Sequence, residues 1–359
     1  MRNTGTRGYN GYRGRRPDGK RWLILALALL LLAGVAFLVA QRYMVYNMDG
    51  SYYFELPWSR RANRTEQTAL SGSRQDLEIV IEGASDSEDA PVVTQPLHAQ
   101  ELDAATLQGG MTRALDALPD NINAAAIRLK TPDGDLLYPS SLSAAVEAKA
   151  VAGGSIARSA IAELNDSGCY TIARLSALHD SRYSYAHKVD AAVQQVAYSG
   201  EIWYDPDSTF YLAPEKELAR QYLVSIAAEV ASLGFDEILF DEFTYPPAGR
   251  LNNIRTGDRT MTMDEALALL ADELRAGLED YDVRLSVSLD ADTVLAGSNE
   301  KTGQVLSDLA SRFDRVYVPT TEEQIPALEA ALAPYSAALV PVLTAAPAAE
   351  GAYLIASDG

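Results

Sequence analysis

The chain has 359 residues, 48% of them hydrophobic and 22% charged, which is ordinary globular usage and enough to bury a large core. Its formal net charge is −19; residues 1–21 carry Arg2, Arg7, Arg13, Arg15, Arg16, Lys20 and Arg21 against Asp18, leaving the remainder with 23 basic and 48 acidic residues, a balance of −25. So acidic a body repels nucleic-acid phosphates, which excludes nucleic acid as a partner and favours neutral substrates or cationic partners; the single cysteine, Cys169, excludes an internal disulfide and a cysteine metal cluster.

The first element follows the basic arm. Trp22 to Ala40 (WLILALALLLLAGVAFLVA) carries no charge and is long enough to cross about 30 Å of hydrocarbon. Basic residues before it place the N-terminus in the cytoplasm and the rest of the chain outside. A cleaved signal peptide is the competing reading, but its apolar region runs to roughly 7–15 residues, and no small-x-small site precedes Gln41 and Arg42. The expected organisation is therefore a basic cytoplasmic arm over 1–21, a transmembrane anchor over 22–42, a juxtamembrane linker over 43–90 and a single domain over 91–359. Within the linker, residues 77–82 (LEIVIE) alternate like a short strand.

From residue 91 short apolar runs alternate with amphipathic stretches. The predicted strands are Val92–Pro96, Ala124–Leu129, Tyr170–Ser176, Glu237–Asp241, Val283–Leu289, Arg315–Val318, Leu339–Leu343 and Tyr353–Ala356. The predicted helices are Ala104–Leu118, Leu142–Leu164, Pro214–Leu233, Met263–Leu278, Thr302–Arg312 and Glu322–Leu332. Strands separated by helices imply βαβ units and a parallel sheet. Eight of them predict an α/β fold, a (β/α)8 TIM barrel lacking a full eighth helix. An open doubly wound sheet alternates in the same way, but no G-x-G-x-x-G follows the first strand.

Strand parity predicts where the charges go. In Ala124–Lys130 the apolar Ile127 and Leu129 face the helices, which turns Arg128 and Lys130 into the barrel; the same reasoning turns Arg174, Asp241 and Asp290 inward. Glu242 has the opposite parity, a neighbour of the site unless the strand ends before it. Such charges must pair or face a wet cleft, and this fold carries its active sites at the C-terminal ends of the strands. An ion network that merely closes the barrel mouth is the competing reading. Two carboxylates in one wet cleft suit glycosidic bond cleavage, one protonating the leaving oxygen and one attacking or activating water. Trp203, Tyr204 and Tyr245 are candidates to stack on sugar rings. No G-x-S-x-G, Cys–His pair or phosphate loop is present. A divalent cation at Asp241, Glu242 and Asp290 is a minor alternative. His98, His179 and His187 lack metal-ligand spacing, and no cofactor is expected.

Leu233–Pro246 (LGFDEILFDEFTYP) resembles the fourth-strand signature of a bacterial family labelled putative glycosyl hydrolase domain, which runs G-F-D-E-I-x-F-D-Y-[VI]-R-F-P. It is also similar to the fourth strand of α-amylase-like barrels, where an Asp at that place is the nucleophile. Asn123–Lys130 followed by Asp133 and Gly134, Ile172–Arg174, His179 with Asp180, and Trp203 with Asp205 and Pro206 extend the resemblance over roughly 91–359. It implies a glycoside hydrolase with Asp241 as catalytic carboxylate and Arg174, Asp180, Trp203 and Asp205 in the cleft. Two positions depart from the family: Arg128 stands where it has Asp, and Thr244 where it has Arg. The expectation is a membrane-anchored glycosidase acting on a polysaccharide. Asp241 is its nucleophile or base, Asp290 its acid with Glu242 as substitute, and Arg128, Lys130, Arg174, Asp180, Trp203, Asp205 and Tyr245 contact substrate. A non-catalytic cell-surface glycan-binding or scaffold protein on a degenerate barrel is the alternative.

Overall fold

The computed structural model describes residues 96–357 apart from 108, 154, 197–199, 258 and 349, together with two short strands, Met44–Tyr46 and Tyr52–Phe54. The chain divides into two compact units, Met1–Pro91 and Val92–Gly359. In the first, Met44–Tyr46 and Tyr52–Phe54 pair antiparallel. The expected arm, anchor and 77–82 strand lie outside the described residues. Among the described residues no helix is long and apolar enough to cross a membrane.

The second unit is a closed barrel of eight parallel strands: β1 (His98–Leu102), β2 (Ala124–Lys130), β3 (Tyr170–Ser176), β4 (Glu237–Asp241), β5 (Arg284–Ser288), β6 (Arg315–Pro319), β7 (Ala338–Leu343) and β8 (Tyr353–Ile355). Strand order follows chain order, and β8 closes on β1 through Tyr353–His98, Leu354–Ala99 and Ile355–Gln100. The barrel is thus the (β/α)8 architecture rather than the open sheet.

Each strand divides its side chains between two cores. Ile127, Leu129, Ile238, Phe240, Leu285 and Val287 pack outward against the helices. Ala99, Ala124, Ala126, Ile172, Leu239, Tyr317, Val340 and Leu354 fill the interior. The alanines leave room for the large Tyr317 ring, as the taper of a small barrel requires. At the N-terminal end the interior is closed by Glu237, which accepts hydrogen bonds from Tyr170 (2.9 Å) and Ser286 (2.6 Å) and pairs with Arg315.

The first strand departs from expectation: it is His98–Leu102, and residues 92–95 of the expected Val92–Pro96 lie outside the described residues. Its sequence, HAQEL, hides the pattern because the inward positions hold Ala99 and Glu101. The expected helix 104–118 is broken at Gly109 and Gly110 into α1 (Ala104–Leu107) and α2 (Met111–Asp116), with Gly110 at φ 94°. The expected helix 142–164 is two pieces, α3 (Ser143–Glu147) and α4 (Arg158–Asn165). After β3 come α5 (Ser181–Ala186) and α6 (Glu217–Ala231). After β4 comes α7 (Met263–Gly277), opened by a capping box between Thr262 and Glu265. Then follow α8 (Ala291–Ala296), α9 (Leu306–Ala310) and α10 (Ile325–Leu332). Among the described residues no helix follows β7 or β8.

Candidate active site

Four strands deliver charge to the C-terminal mouth. Asp241 ends β4 and is only 4% exposed. Arg174 of β3 grips it side-on, with Nε to Oδ2 and Nη2 to Oδ1 both at 3.0 Å. The other end of the same guanidinium, Nη1, reaches Oε2 of Glu101 on β1 at 2.6 Å. Arg128 of β2 spans the same two acids, 3.4 Å from Asp241 and 3.7 Å from Glu101. Two acids and two guanidiniums therefore form one charge-balanced ring across β1 to β4. Burial disfavours the Arg174 charge, but the carboxylates of Asp241 and then Glu101 outweigh it and strengthen its hold on the proton. Arg128 is the open side of the ring, its side chain 30% exposed against 11% for Arg174.

Glu242 follows immediately and sits differently. Its backbone is left-handed, at φ 46°, a conformation that costs a side-chain-bearing residue on the order of 1–3 kcal/mol and that clusters at functional sites. The strand ends at Asp241, so parity no longer governs Glu242. Its carboxyl lies within the fields of Arg128 and Lys130 and beside the Ser176 hydroxyl. Its Oε2 is buried without a hydrogen-bond partner. Burial, and then the charge of Asp241, push the carboxyl above the usual glutamate value against the opposing pull of Ser176, Arg128 and Lys130. Two adjacent carboxyls thus stand in different settings, one gripped by guanidinium and one with an oxygen that no donor reaches.

Other expected site residues are placed elsewhere. Past a register shift in β2, Lys130 is fully buried; its Nζ donates to the Ser176 carbonyl at 2.8 Å and pairs with Asp180 at 2.9 Å. Asp180 caps α5, accepting from the Tyr183 amide at 2.8 Å. Gly134 lets it fit, since a Cβ there would lie 2.1 Å from Asp180 Oδ1. Asp133 joins in through its carbonyl, which accepts from the Ser181 and Arg182 amides at 3.0 Å each. Asp205 ties its own loop, accepting from the amides of Asp207 and Thr209 and from the Thr209 hydroxyl. His179 Nε2 meets that hydroxyl at 2.5 Å while its ring stacks on Tyr211, and burial lowers its pKa.

Three expectations need correction. Asp290, expected to point inward, is exposed at the N-cap position of α8, because β5 ends at Ser288 and the helix begins at Ala291; no contact joins it to Asp241. Trp203 is buried in a cluster with Val193, Tyr211 and Ala213, its indole nitrogen donating to the Arg250 carbonyl at 3.1 Å, so its ring is not a free face for sugar. Tyr245 is buried as well, donating to Glu215 at 2.5 Å beneath the Arg259 guanidinium. Of the three aromatics only Tyr204 is exposed. Glu101 was not foreseen, because it lies on the strand whose pattern was hidden. Among the described residues no cluster of three or more His, Cys, Asp or Glu is arranged to hold a metal.

Residues 103–319, more than half of the chain, match the family described as "Putative glycosyl hydrolase domain". The chain belongs to that family. The matched stretch is narrower than the 91–359 of the sequence resemblance; it runs from just after β1 to the end of β6 and leaves out Glu101. Among solved structures, the glycoside hydrolase domain of PgaB (BpsB) from Bordetella bronchiseptica is similar at 16% identity, over 69% of this chain and 84% of that one, with a TM-score of 0.50. A hypothetical protein from Ruminiclostridium thermocellum ATCC 27405 is similar at 24% identity, over 53% of this chain and 96% of that one, with a TM-score of 0.45. A GH20 exo-β-N-acetylglucosaminidase from Vibrio harveyi is similar at 12% identity, over 69% of this chain and 41% of that one, with a TM-score of 0.48. At 16% identity the likeness to the PgaB (BpsB) domain shows the fold alone. No curated protein matches the chain in sequence. The putative glycosyl hydrolase family thus supplies a glycoside-hydrolase-like function, and the ring around Arg174 lies where this fold carries its chemistry.

Proposed function

We propose that the barrel is a glycoside hydrolase that cleaves a polysaccharide, in the cell envelope, by carboxylate chemistry. The observation that carries this reading is the contrast between Asp241 and Glu242. A carboxyl without a cationic partner beside one held in an ion pair is a setting in which acid and base roles divide between neighbours. Glu242, whose pKa burial raises and whose Oε2 lacks a hydrogen-bond partner, takes the acid role, giving a proton to the glycosidic oxygen as the C–O bond breaks. Asp241, half of an ion pair with Arg174, supplies negative charge beside the developing oxocarbenium ion and attacks the anomeric carbon or activates water. Asp290, exposed on α8, gives up the acid role expected for it. The test is release of new reducing ends from polysaccharides by the full chain: wild type releases them and Glu242→Gln does not, while both bind the glycan.

The residues 22–42 run supports a tether that holds the barrel outside the membrane with the basic arm inside. Recovery of the full chain in the membrane fraction, with the barrel cleaved by protease added outside, checks both parts.

One observation favours a second reading. Both oxygens of Asp241 are taken by Arg174, and Arg128 replaces the family's Asp beside them. A barrel closed by such a ring suits a glycan-binding or scaffold protein without turnover. Binding with no release of reducing ends by any variant selects that reading.

A further inference from the structure

The left-handed turn at Glu242 is held from a direction that the neighbouring strand does not supply. Up to that point the chain is secured by the continuation of β3: the Asp241 carbonyl accepts from the Ala177 amide at 2.8 Å, and the Glu242 carbonyl from the Leu178 amide at 3.2 Å. Glu242, at φ 46°, then turns the chain away, and the next carbonyl, that of Phe243, accepts from a side chain instead, Gln304 Nε2 at 3.2 Å. Gln304 belongs to a short hairpin after α8, in which Ser298–Asn299 pairs antiparallel with Gln304–Val305. It is buried, and a carbonyl can only accept, so the Phe243 contact fixes which way its amide points. Its Oε1 accepts from the Thr302 hydroxyl at 3.0 Å, and the Thr302 carbonyl accepts from the Tyr245 amide at 3.2 Å. The hairpin therefore grips the chain on both sides of Thr244. It is itself seated firmly, since Gly303, at φ 73°, has no room for a Cβ against Met263 at the start of α7. Phe240 and Phe313 pack edge-on against the Phe243 ring, so packing anchors that side chain and Gln304 anchors its carbonyl. A residue with a side chain stays in the left-handed region only where its surroundings over-determine it.

We propose that Gln304 is a positioning residue for Glu242: its side-chain amide, with the Thr302 carbonyl, clamps the chain just after Glu242 and so keeps that carboxyl at the barrel mouth beside Asp241. The proposal rests on the reading of Glu242 as the acid, and it brings a residue from the loop after β5 into the machinery that aims it. The carboxyl lies in the fields of Asp241, of Arg128 and Lys130 on β2, of Arg174 on β3 and of Tyr211, and beside the Ser176 hydroxyl. Released from the clamp, the turn relaxes and the carboxyl moves toward solvent, which returns its protonation toward that of an ordinary glutamate.

The test is the stability gap between the full chain and its Glu242→Gln variant, followed by denaturant unfolding between about pH 4 and pH 8, with Gln304 in place and with Gln304→Met. A hydrogen bond that is merely structural lowers both chains alike when it is lost and leaves the gap unchanged. Loss of a clamp frees the carboxyl, so in the Gln304→Met background the gap near neutrality should shrink by at least about half; a smaller change overturns the proposal. In a chain that hydrolyses polysaccharide, Gln304→Met should also lower kcat roughly tenfold to a hundredfold while KM stays within about twofold, and an unchanged kcat overturns the proposal. If Gln304→Met does not fold, Gln304→Asn, one methylene shorter, draws the amide back from Phe243 and is read in the same way. The gap is measured without substrate, so its fate is separable from that of the enzyme reading. A gap that closes in a chain without hydrolysis leaves the clamp standing and removes the acid role; hydrolysis with an unaltered gap and kcat leaves the acid role standing and removes the clamp.

Discussion

Arg174 holds Asp241 by two parallel hydrogen bonds of 3.0 Å and spends its remaining Nη1 on Glu101 at 2.6 Å, so a single guanidinium joins β1, β3 and β4 at the barrel mouth. Removing it leaves two buried carboxylates with only the longer contacts of the half-exposed Arg128. Arg174→Ala should destabilise the fold by about 3–5 kcal/mol, the usual consequence of breaking a buried ion pair from one side. Chemical denaturation at neutral pH measures this, and a loss under about 1 kcal/mol would show the ring to be solvated.

Glu242 makes a prediction about pH. Its folded-state pKa is raised, by burial first and by Asp241 second, so the folded chain binds its proton more tightly than the unfolded chain does. The stabilisation from that proton is complete below the ordinary glutamate value of 4.5 and is lost as pH rises through the raised value. Glu242→Gln should therefore be relatively more stable than wild type near neutrality and lose that advantage in acid. Unfolding midpoints of the two proteins between about pH 4 and pH 8 check the sign. Hydrolysis should fall over the same rising limb, since the acid must be protonated.

Gly134 should tolerate no side chain. It is at φ 88°, and an added Cβ would meet Asp180 Oδ1 at 2.1 Å and Cγ at 2.7 Å. Gly134→Ala must push Asp180 away from Lys130 and from the α5 N-terminus, at a loss on the order of 2–5 kcal/mol. A variant with an unchanged melting temperature would contradict the described packing.

The two neighbouring aromatics should separate cleanly. Trp203→Ala empties a buried cluster and should destabilise the loop after β3 by about 3–5 kcal/mol. Tyr204 is 55% exposed, and Tyr204→Ala should leave the melting temperature unchanged while weakening polysaccharide binding. Affinity electrophoresis in glycan-containing gels reads the second effect.

Much of the barrel was legible because its strands alternate. Ile127 and Leu129, or Ile238 and Phe240, mark an outward face, and that fixes Arg128, Arg174 and Asp241 on the inward one, where the structure brings them together. Parity fails once a strand has ended. Asp290 lies beyond β5 as the exposed N-cap residue of a helix, and Glu242 lies beyond β4 at a left-handed turn, so strand alternation governs neither. His98–Leu102 was hidden because an inward-facing Glu101 breaks the apolar pattern that reveals a strand. Buried Trp203 and Tyr245 could not be told from exposed Tyr204, since an aromatic in a loop reads the same whether covered or bare.

The most direct test is the yield of new reducing ends when the full chain is incubated with acidic and neutral polysaccharides, comparing wild type with Asp241→Asn and Glu242→Gln. The account predicts release by wild type, loss of at least about a hundredfold in both variants, and retained glycan binding in each. Full release by Asp241→Asn, or by Glu242→Gln, would contradict it.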